Sequence, residues 1–301
     1  MKVNFDLEKI AVTEFGLGMD VGDEQSFVLL PVDGNVQEAL RQMALATWAK
    51  MQEEADGPTK YEPSEKHSAT EYVYLPLNDA LAASMRALHE AANLPLDANA
   101  HTHATEAFCY FARMTDNKGR RLSALRRATQ FKGILKSRLL QFVTDSLRIV
   151  KDDVFKLDND FDLLIDSTNV HILRPSGFEF AGRLQEAILA AVPQNISVIE
   201  KDMAFVEFAG IREFAAKHPR AARLLASIRG EKETKSIDRS ALRRFCKAMG
   251  VEIRLANGKV RVVENHEMGF LEVLDRRRYE VHLVKDSPER FRAGSRRRIE
   301  E

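Results

Sequence analysis

Apolar residues in the first third of the chain follow two spacings, one typical of helices and one of strands. Two series recur every three or four residues: Leu40, Met43, Ala44, Trp48 and Met51, and then Leu77, Leu81, Met85, Leu88 and Ala92. This spacing places the apolar side chains on one face of a helix. Tyr72–Leu75 and Ala107–Met114 are rich in aromatic and β-branched residues and predict strands.

The middle of the chain predicts a β-hairpin followed by helices. Two apolar runs, Phe161–Asp166 and Val170–Leu173, are separated by three polar residues. This pattern is typical of a hairpin. A helix is predicted to begin at Pro175 or Ser176, and Pro193 is expected to end it. Its apolar face comprises Ala181, Leu184, Ile188 and Val192. Further helices are predicted over Ile211–Lys217 and Pro219–Arg229.

The last part of the chain contains the clearest turn signals. A helix capped at its start by Asp238 or Ser236 is predicted to run to Met249, where Gly250 ends it. The segments 251–255 and 259–263 alternate apolar and polar residues around Asn257-Gly258. Because Asn-Gly tolerates the positive φ angles of a type I′ turn, these segments predict a second hairpin. The sequence as a whole therefore predicts an α+β fold, with a strand-rich middle, a helical segment and a C-terminal β-hairpin.

The zero net charge of the 301 residues conceals a division. Residues 1–116 contain 8 Lys and Arg against 19 Asp and Glu, whereas residues 117–301 contain 37 against 26. We therefore expect an acidic N-terminal part, 1–116, and a basic α+β part, 117–301. Such asymmetry indicates surfaces with different partners, or two parts that attract each other.

Composition restricts the compartment. The two cysteines, Cys109 and Cys246, form no CxxC pair and lie in apolar stretches, so we expect buried, reduced thiols in a cytoplasmic protein. No apolar run approaches the roughly 20 residues that cross a bilayer, and the N-terminus has no apolar signal core. Direct membrane insertion is not expected, and any membrane association would require a partner.

Residues 118–138, which we call the basic segment, are the first candidate site. No acidic residue occurs between Asp116 and Asp145, and a positive field without acidic neighbours is what phosphate binding needs. An equally open interpretation is a solvated face that pairs with the acidic N-terminal part. The candidate DNA-binding residues here are Lys118, Arg120, Arg121, Arg126, Arg127, Lys132, Lys136 and Arg138.

A second candidate combines the helix before Gly250 with the Asn-Gly hairpin. On a helical wheel, Leu242, Phe245, Cys246 and Met249 form the apolar side, and cations form a neighbouring stripe. The hairpin adds further arginines to its outward side. The candidate DNA-binding residues are Arg243, Arg244, Lys247, Arg254 and Arg261. Arginine suits bidentate phosphate recognition better than lysine. Ordinary surface charge is the alternative.

The sequence evidence for a catalytic site is weaker than that for the two DNA-binding candidates. Asp162 and Asp166 lie four residues apart, roughly 13 Å along a strand, which is too far for one metal ion without other ligands. His101, His103 and Glu106 could bind a metal at the end of a strand, but the sequence shows no further ligand at a suitable distance, and a polar loop is the alternative. The chain has no motif of the common nucleotide-binding or hydrolase families. We predict no cofactor, no metal and no catalytic residue.

The segment from Phe131 to Phe180 resembles the KwaB-like proteins of the Kiwa antiphage defence system. The similarity lies in a basic stretch followed by Phe155-Lys156-Leu157-Asp158, Phe161-Asp162, His171–Leu173 and Phe178-Glu179, and it extends over about residues 105–295. The resemblance implies an antiphage protein that binds DNA beside a membrane partner, KwaA. It transfers no catalytic residue, and Phe161, Asp162, Phe178 and Glu179 are expected to form the fold.

Three functions follow as hypotheses. The first is a homodimeric protein that binds double-stranded DNA non-specifically and hinders phage DNA replication or expression. The second is a metal-dependent nuclease. The third is a protein-interaction module in which the acidic part docks a partner and the basic part only balances its charge.

Overall fold

The computed structural model describes residues 3–22, 24–53, 57–65, 67–68, 71–97, 107–128, 140–143, 146–149, 157–283 and 287–294. The chain forms two compact units. Unit 1 comprises Met1–Lys60 and His67–Arg183, and unit 2 comprises Tyr61–Lys66 and Leu184–Glu301. The change of charge at residue 116 therefore falls inside unit 1.

Unit 1 is built on an eight-stranded sheet in the order β2-β1-β5-β6-β9-β10-β4-β3. Adjacent strands in this sheet pair antiparallel, except β3 and β4, which pair parallel. These strands are β1 (Ile10–Val21), β2 (Glu24–Leu30), β3 (Thr59–Lys60), β4 (Val73–Pro76), β5 (Ala107–Asp116), β6 (Arg121–Arg127), β9 (Leu163–Ile165) and β10 (Asn169–Ile172). A separate hairpin joins β7 (Leu140–Val143) to β8 (Ser146–Ile149).

Strand β1 was not predicted, because two glycines in its middle lower its strand propensity. A Cβ atom at Gly16 would overlap the Phe111 ring and the backbone oxygen of Val28. A Cβ at Gly18 would overlap the Sγ atom of Cys109. The aromatic side chains of β5 therefore occupy the space that a side chain on β1 would need, which is why glycine is found inside this strand.

The described residues of unit 1 also form the α-helices α1 (Gly34–Gln52), α2 (Ala83–Glu90) and α3 (Pro175–Ala181). Asp33 caps α1 by accepting a hydrogen bond from the Val36 amide at 2.9 Å. The apolar side of α1, including Leu40, Met43 and Met51, joins a buried cluster with sheet residues such as Tyr110. The helix predicted from the spacing of Leu40 to Met51 is confirmed.

A buried polar chain fixes the β9–β10 hairpin. The Asp166 carboxylate accepts hydrogen bonds from the amides of Thr168 and Asn169, both at 2.8 Å, and closes the turn. His171 connects this carboxylate to the Tyr72 hydroxyl, at 3.1 and 3.0 Å respectively. Burial, followed by the nearby Asp166 charge, raises the pKa of Tyr72 to about 12. The hairpin predicted from the sequence is confirmed.

Unit 2 is mainly helical. Its helices are α4 (Leu184–Ala190), α5 (Val192–Asp202), α6 (Ala209–Lys217), α7 (Pro219–Gly230), α8 (Arg239–Ala248) and α9 (Glu267–Leu274). The single helix predicted from Pro175 to Val192 is wrong. The chain breaks at Arg183, whose φ is +47°, and Pro193 lies in the first turn of α5 instead of ending a helix. Proline fits that position because the first-turn N–H groups have no helical partner.

The described residues of unit 2 also form two small sheets. The first contains β11 (Val206–Glu207), β12 (Ile253–Ala256) and β13 (Lys259–Val262). The second is the ribbon of β14 (Arg278–Val281) and β15 (Glu289–Arg292). The ribbon is attached to α9 through Glu272, a fully buried carboxylate that accepts from Arg278 at 3.1 Å and Arg292 at 2.7 Å. The predicted α+β class is confirmed, including the C-terminal hairpin β12–β13. The short apolar helix α9 was not predicted.

Candidate nucleic-acid interface

The described cations at the start of the basic segment are largely engaged inside unit 1. Arg120 follows the β5–β6 turn and forms an ion pair with Asp116, with 2.7 Å between Nη2 and Oδ2. Burial alone would raise the pKa of Asp116, but hydrogen bonds from the backbone and side chain of Arg120 and from the backbone amide of Lys118 outweigh it and lower this pKa to about 2. Arg121 donates at 2.8 Å to the carbonyls of both His89 and Ala91. Lys118 itself is exposed in the turn.

Arg126 binds a cluster of three carboxylates. Its guanidinium lies 2.7 Å from Asp162, 3.2 Å from Asp158 and 3.4 Å from Asp160. Arg174 and Lys50 also pair with Asp160. Although burial alone would lower the pKa of Arg126, the Asp162 charge and its neighbours raise it. The Arg126 side chain is only 16% exposed, so its charge mainly forms ion pairs within the protein.

Arg127 makes a different contact. Its guanidinium carbon lies 3.8 Å from the centre of the Phe180 ring, a cation–π geometry. Its backbone amide donates to Asp162 at 2.8 Å. The remaining candidates of this segment, Lys132, Lys136 and Arg138, lie outside the described residues, as do His101, His103 and Glu106.

The second group of candidates lies on α8 in unit 2. Asp238 caps this helix by accepting from the Ala241 amide at 2.7 Å, and Gly250, with φ of +68°, lets the chain turn away after it. Leu242, Cys246 and Met249 are buried, whereas Arg243, Arg244 and Lys247 are exposed. The prediction that Phe245 belongs to the apolar, buried side is wrong, because this residue is 38% exposed. Burial raises the pKa of Cys246 to about 12, which fits a thiol that only packs.

The Asn-Gly hairpin places further arginines opposite one another. Asn257 and Gly258 have φ angles of +50° and +76°, as a type I′ turn requires. Arg254 and Arg261 are direct cross-strand partners in β12 and β13. Arg261 lies 3.8 Å from Glu207, while Arg254 has no carboxylate within salt-bridge distance in the described part of the chain.

Helix α8 and β12 together form a groove of about 680 Å³, which we call the basic groove. Its cationic lining comprises Arg243, Arg244, Lys247 and Arg254, and Glu252 is its one acidic residue. Among the described residues, no carboxylate lies within 4 Å of the charged nitrogens of these four side chains. Exposed cations converging from two elements can bind successive phosphates. The structure thus places four of the five residues of the second candidate in one groove, and Arg261 is not part of its lining.

A second groove, of about 950 Å³, shares Arg254 and Val263 with the basic groove. It also contains Arg261 and two rings that sequence reasoning missed, Phe214 and His218. The available signal was their spacing of four residues across the end of the predicted helix Ile211–Lys217, a separation that can bring two side chains together.

Asp162 and Asp166, candidate metal ligands from the sequence, are engaged by other protein groups, as are Asp158 and Asp160. Asp158, Asp160 and Asp162 gather around arginine, and Asp166 closes the β9–β10 turn. Within the described ranges, no three His, Cys, Asp or Glu side chains are arranged to hold a metal ion. None of the helices in those ranges is long and apolar enough to cross a membrane.

Comparison with known families decides the classification. The family model described as "Kiwa protein KwaB-like" matches residues 106–283, more than half of the chain. The chain belongs to the KwaB-like family. It is therefore a component of Kiwa antiphage defence. No curated protein and no solved structure shows significant similarity to it.

The KwaB-like match includes the whole of the basic groove and the strand-rich middle of unit 1. Within that middle, Phe161 and Phe178 are completely buried. The Asp162 carboxylate lies between Arg126 and the start of α3, so close to Gly177 that a Cβ atom there would overlap it. These residues therefore hold the KwaB-like fold together, in agreement with the interpretation from the sequence.

Proposed function

We propose that this KwaB-like chain binds double-stranded DNA non-specifically through the basic groove and thereby hinders replication or expression of phage DNA. The observation that carries the proposal is the convergence of Arg243, Arg244, Lys247 and Arg254 on one groove, without a paired carboxylate among the described residues. Cations that are not already paired release condensed counterions from DNA when they bind its phosphates.

The residue types of the basic groove favour the backbone of DNA over its sequence. Three of its cations are arginines, whose planar forks fit two phosphate oxygens at once. Phosphate contacts position a protein on the duplex but carry no direct sequence information. Non-specific binding suits a defence protein, because it meets invading DNA of any sequence.

The proposal includes partners. We place a KwaA-type membrane protein beside this chain, with the acidic residues 1–116 as the part that serves assembly. We also propose a symmetric homodimer, the commonest form of oligomer. Two copies of the basic groove on one particle would raise the avidity for a long duplex without any new contact.

Affinity for a linear duplex across a salt series tests the DNA-binding proposal. We expect Arg243→Glu with Arg244→Glu to weaken binding more than tenfold at about 100 mM salt, because two phosphate contacts become repulsive. The slope of log affinity against log salt should fall by about 2 in magnitude. Lys201→Glu with Lys235→Glu is the matched control: it changes the charge equally on unit 2 side chains that line neither groove.

The outcomes separate the sites. If Arg243→Glu with Arg244→Glu leaves affinity and slope unchanged, the basic groove does not bind DNA. Lys132→Glu with Lys136→Glu and Arg138→Glu then examines the rest of the basic segment while Arg126 itself is unchanged. The same samples incubated with Mg²⁺ or Mn²⁺ should contain intact DNA, and cleavage would support the nuclease alternative.

A further inference from the structure

The second groove contains an aromatic surface that duplex binding does not need. The rings of Phe214 and His218, four residues apart at the end of α6, stack with 4.0 Å between centroids and 16° between planes. A 2.7 Å hydrogen bond between His218 Nδ1 and the Phe214 carbonyl fixes the imidazole. Phe214 is half-buried and supports one face of the imidazole, while His218 itself is exposed in the groove.

The two grooves differ in charge although they share Arg254. The basic groove is lined by four cations and one acid, Glu252. The second groove contains the carboxylates of Glu207, Glu213, Glu264 and Glu267 beside its own cations, and Glu207 lies 3.8 Å from Arg261. Phosphates are therefore favoured in the basic groove and opposed by carboxylates in the second.

An uncharged planar group with N–H donors fits the second groove best. A nucleobase can stack on the exposed imidazole face, and its amino or imino hydrogens can be donated to the glutamates. In a B-form duplex the base faces are covered by their neighbours, so only an unpaired base can stack on a side chain. The groove volume of about 950 Å³ exceeds the common lower size of small-molecule pockets, roughly 300 Å³.

We propose that the second groove holds an unpaired base of single-stranded DNA, stacked on His218, while the phosphates of the same strand lie in the basic groove. This inference rests on the proposed function, because the basic groove supplies the phosphate contacts. It assigns the protein a preference for DNA that exposes single strands, such as frayed ends or gaps, over a continuous duplex.

The test compares a single strand and a duplex of the same sequence, with 2-aminopurine at one position of the single strand as a stacking probe. Wild-type protein should bind the single strand more tightly and quench the probe. His218→Ala should lose about tenfold in single-strand affinity and most of the quenching, because stacking on an aromatic ring is lost. Its duplex affinity should be unchanged.

Two variants serve as controls for His218→Ala. His218→Tyr keeps an aromatic ring and should restore both affinity and quenching. His282→Ala removes another exposed histidine of unit 2 and should change neither. Thermal melting of each variant shows whether α6 remains folded, and Phe214→Leu, which keeps an apolar support, should reproduce part of the loss.

The results distinguish this inference from the function on which it rests. If Arg243→Glu with Arg244→Glu weakens binding of both DNAs but His218→Ala affects neither, base stacking in the second groove is overturned and duplex binding stands. Equal losses for single strand and duplex in His218→Ala also overturn it. A loss confined to single-stranded RNA of the same sequence would overturn the assignment to DNA.

Discussion

The protein has two arginine-rich regions: in one the arginines are paired within the protein, and in the other they are exposed to solvent. On β6 of unit 1, Arg126 is surrounded by three aspartates, and Arg121 reaches two backbone carbonyls. On α8 and β12 of unit 2, Arg243, Arg244 and Arg254 are exposed and converge on a groove. A high local density of arginine in the sequence therefore does not show which arginines are available to a partner.

The difference arises from the elements that carry the residues. Strand β6 lies in the interior of an eight-stranded sheet, so its side chains meet those of neighbouring strands and of the segment that contains Asp158–Asp162. Helix α8 buries only its apolar side and leaves its basic stripe in solvent. We expect substitutions in the first region to change stability and substitutions in the second to change binding.

The largest expected effect is on unit 1. Arg126→Ala would remove the cation that pairs with Asp158, Asp160 and Asp162, two of which are almost completely buried. Breaking a buried ion pair from one side typically costs about 3–5 kcal/mol. Because Arg174 would still pair with Asp160 and Asp162, we expect the lower end of the usual cost. Urea unfolding should show a loss of this size, whereas Arg254→Ala, on the groove side of the comparison, should stay within about 0.5 kcal/mol. Similar small losses in both variants would contradict the division.

A second expected effect concerns pH. His89 is buried next to Ser123, with 3.1 Å between Nδ1 and Oγ. Burial, together with the Arg121 charge, lowers its pKa to about 4. From about pH 6.5 down to 4 the unfolded chain binds a proton that the folded chain does not, so folded stability decreases as the pH falls, by about 3 kcal/mol in total.

His89→Gln checks this effect, because glutamine keeps a polar contact for Ser123 but does not titrate. Chemical unfolding of both proteins from pH 7 to 4 should show that the wild type loses about 3 kcal/mol more than the variant. Parallel pH curves for the two proteins would show that Arg121 and burial do not hold His89 neutral.

Elements with local signals could be predicted from the sequence. The Asn257-Gly258 hairpin and a helix cap at Asp238 or Ser236 were predicted because the deciding residues lie within the element itself. Strand β1 could not be, because Gly16 and Gly18 make sense only when Phe111 and Cys109 of β5 are known to lie against them. Helix α9 escaped prediction because it is short and buried nearly all round, which removes the amphipathic periodicity.

In the candidate site, too, features with local sequence signals could be predicted and those that depend on distant residues could not. The basic stripe of α8 was visible as helical spacing, but the partners of Arg126 were not, since they lie more than thirty residues away in sequence. Pairing across such separations depends on strand order. The grooves also depend on how α6, α8 and the β12–β13 hairpin pack, and a helical wheel contains no information on packing between elements.

The smallest expected effect tests whether the availability of the groove cations depends on a well-formed α8. Asp238→Ala removes the side chain that accepts from the Ala241 amide, and loss of such a cap costs about 1 kcal/mol. Asp238→Asn should cost only a few tenths, because asparagine caps equally well. Since Arg243 and Lys247 lie beyond the first turn, we expect duplex affinity in Asp238→Ala to change less than threefold while the unfolding midpoint falls. A loss of affinity as large as that of Arg243→Glu with Arg244→Glu would mean that DNA binding depends more on the order of α8 than on its exposed charges. The two arginine-rich regions would then differ in rigidity, not in the availability of their arginines.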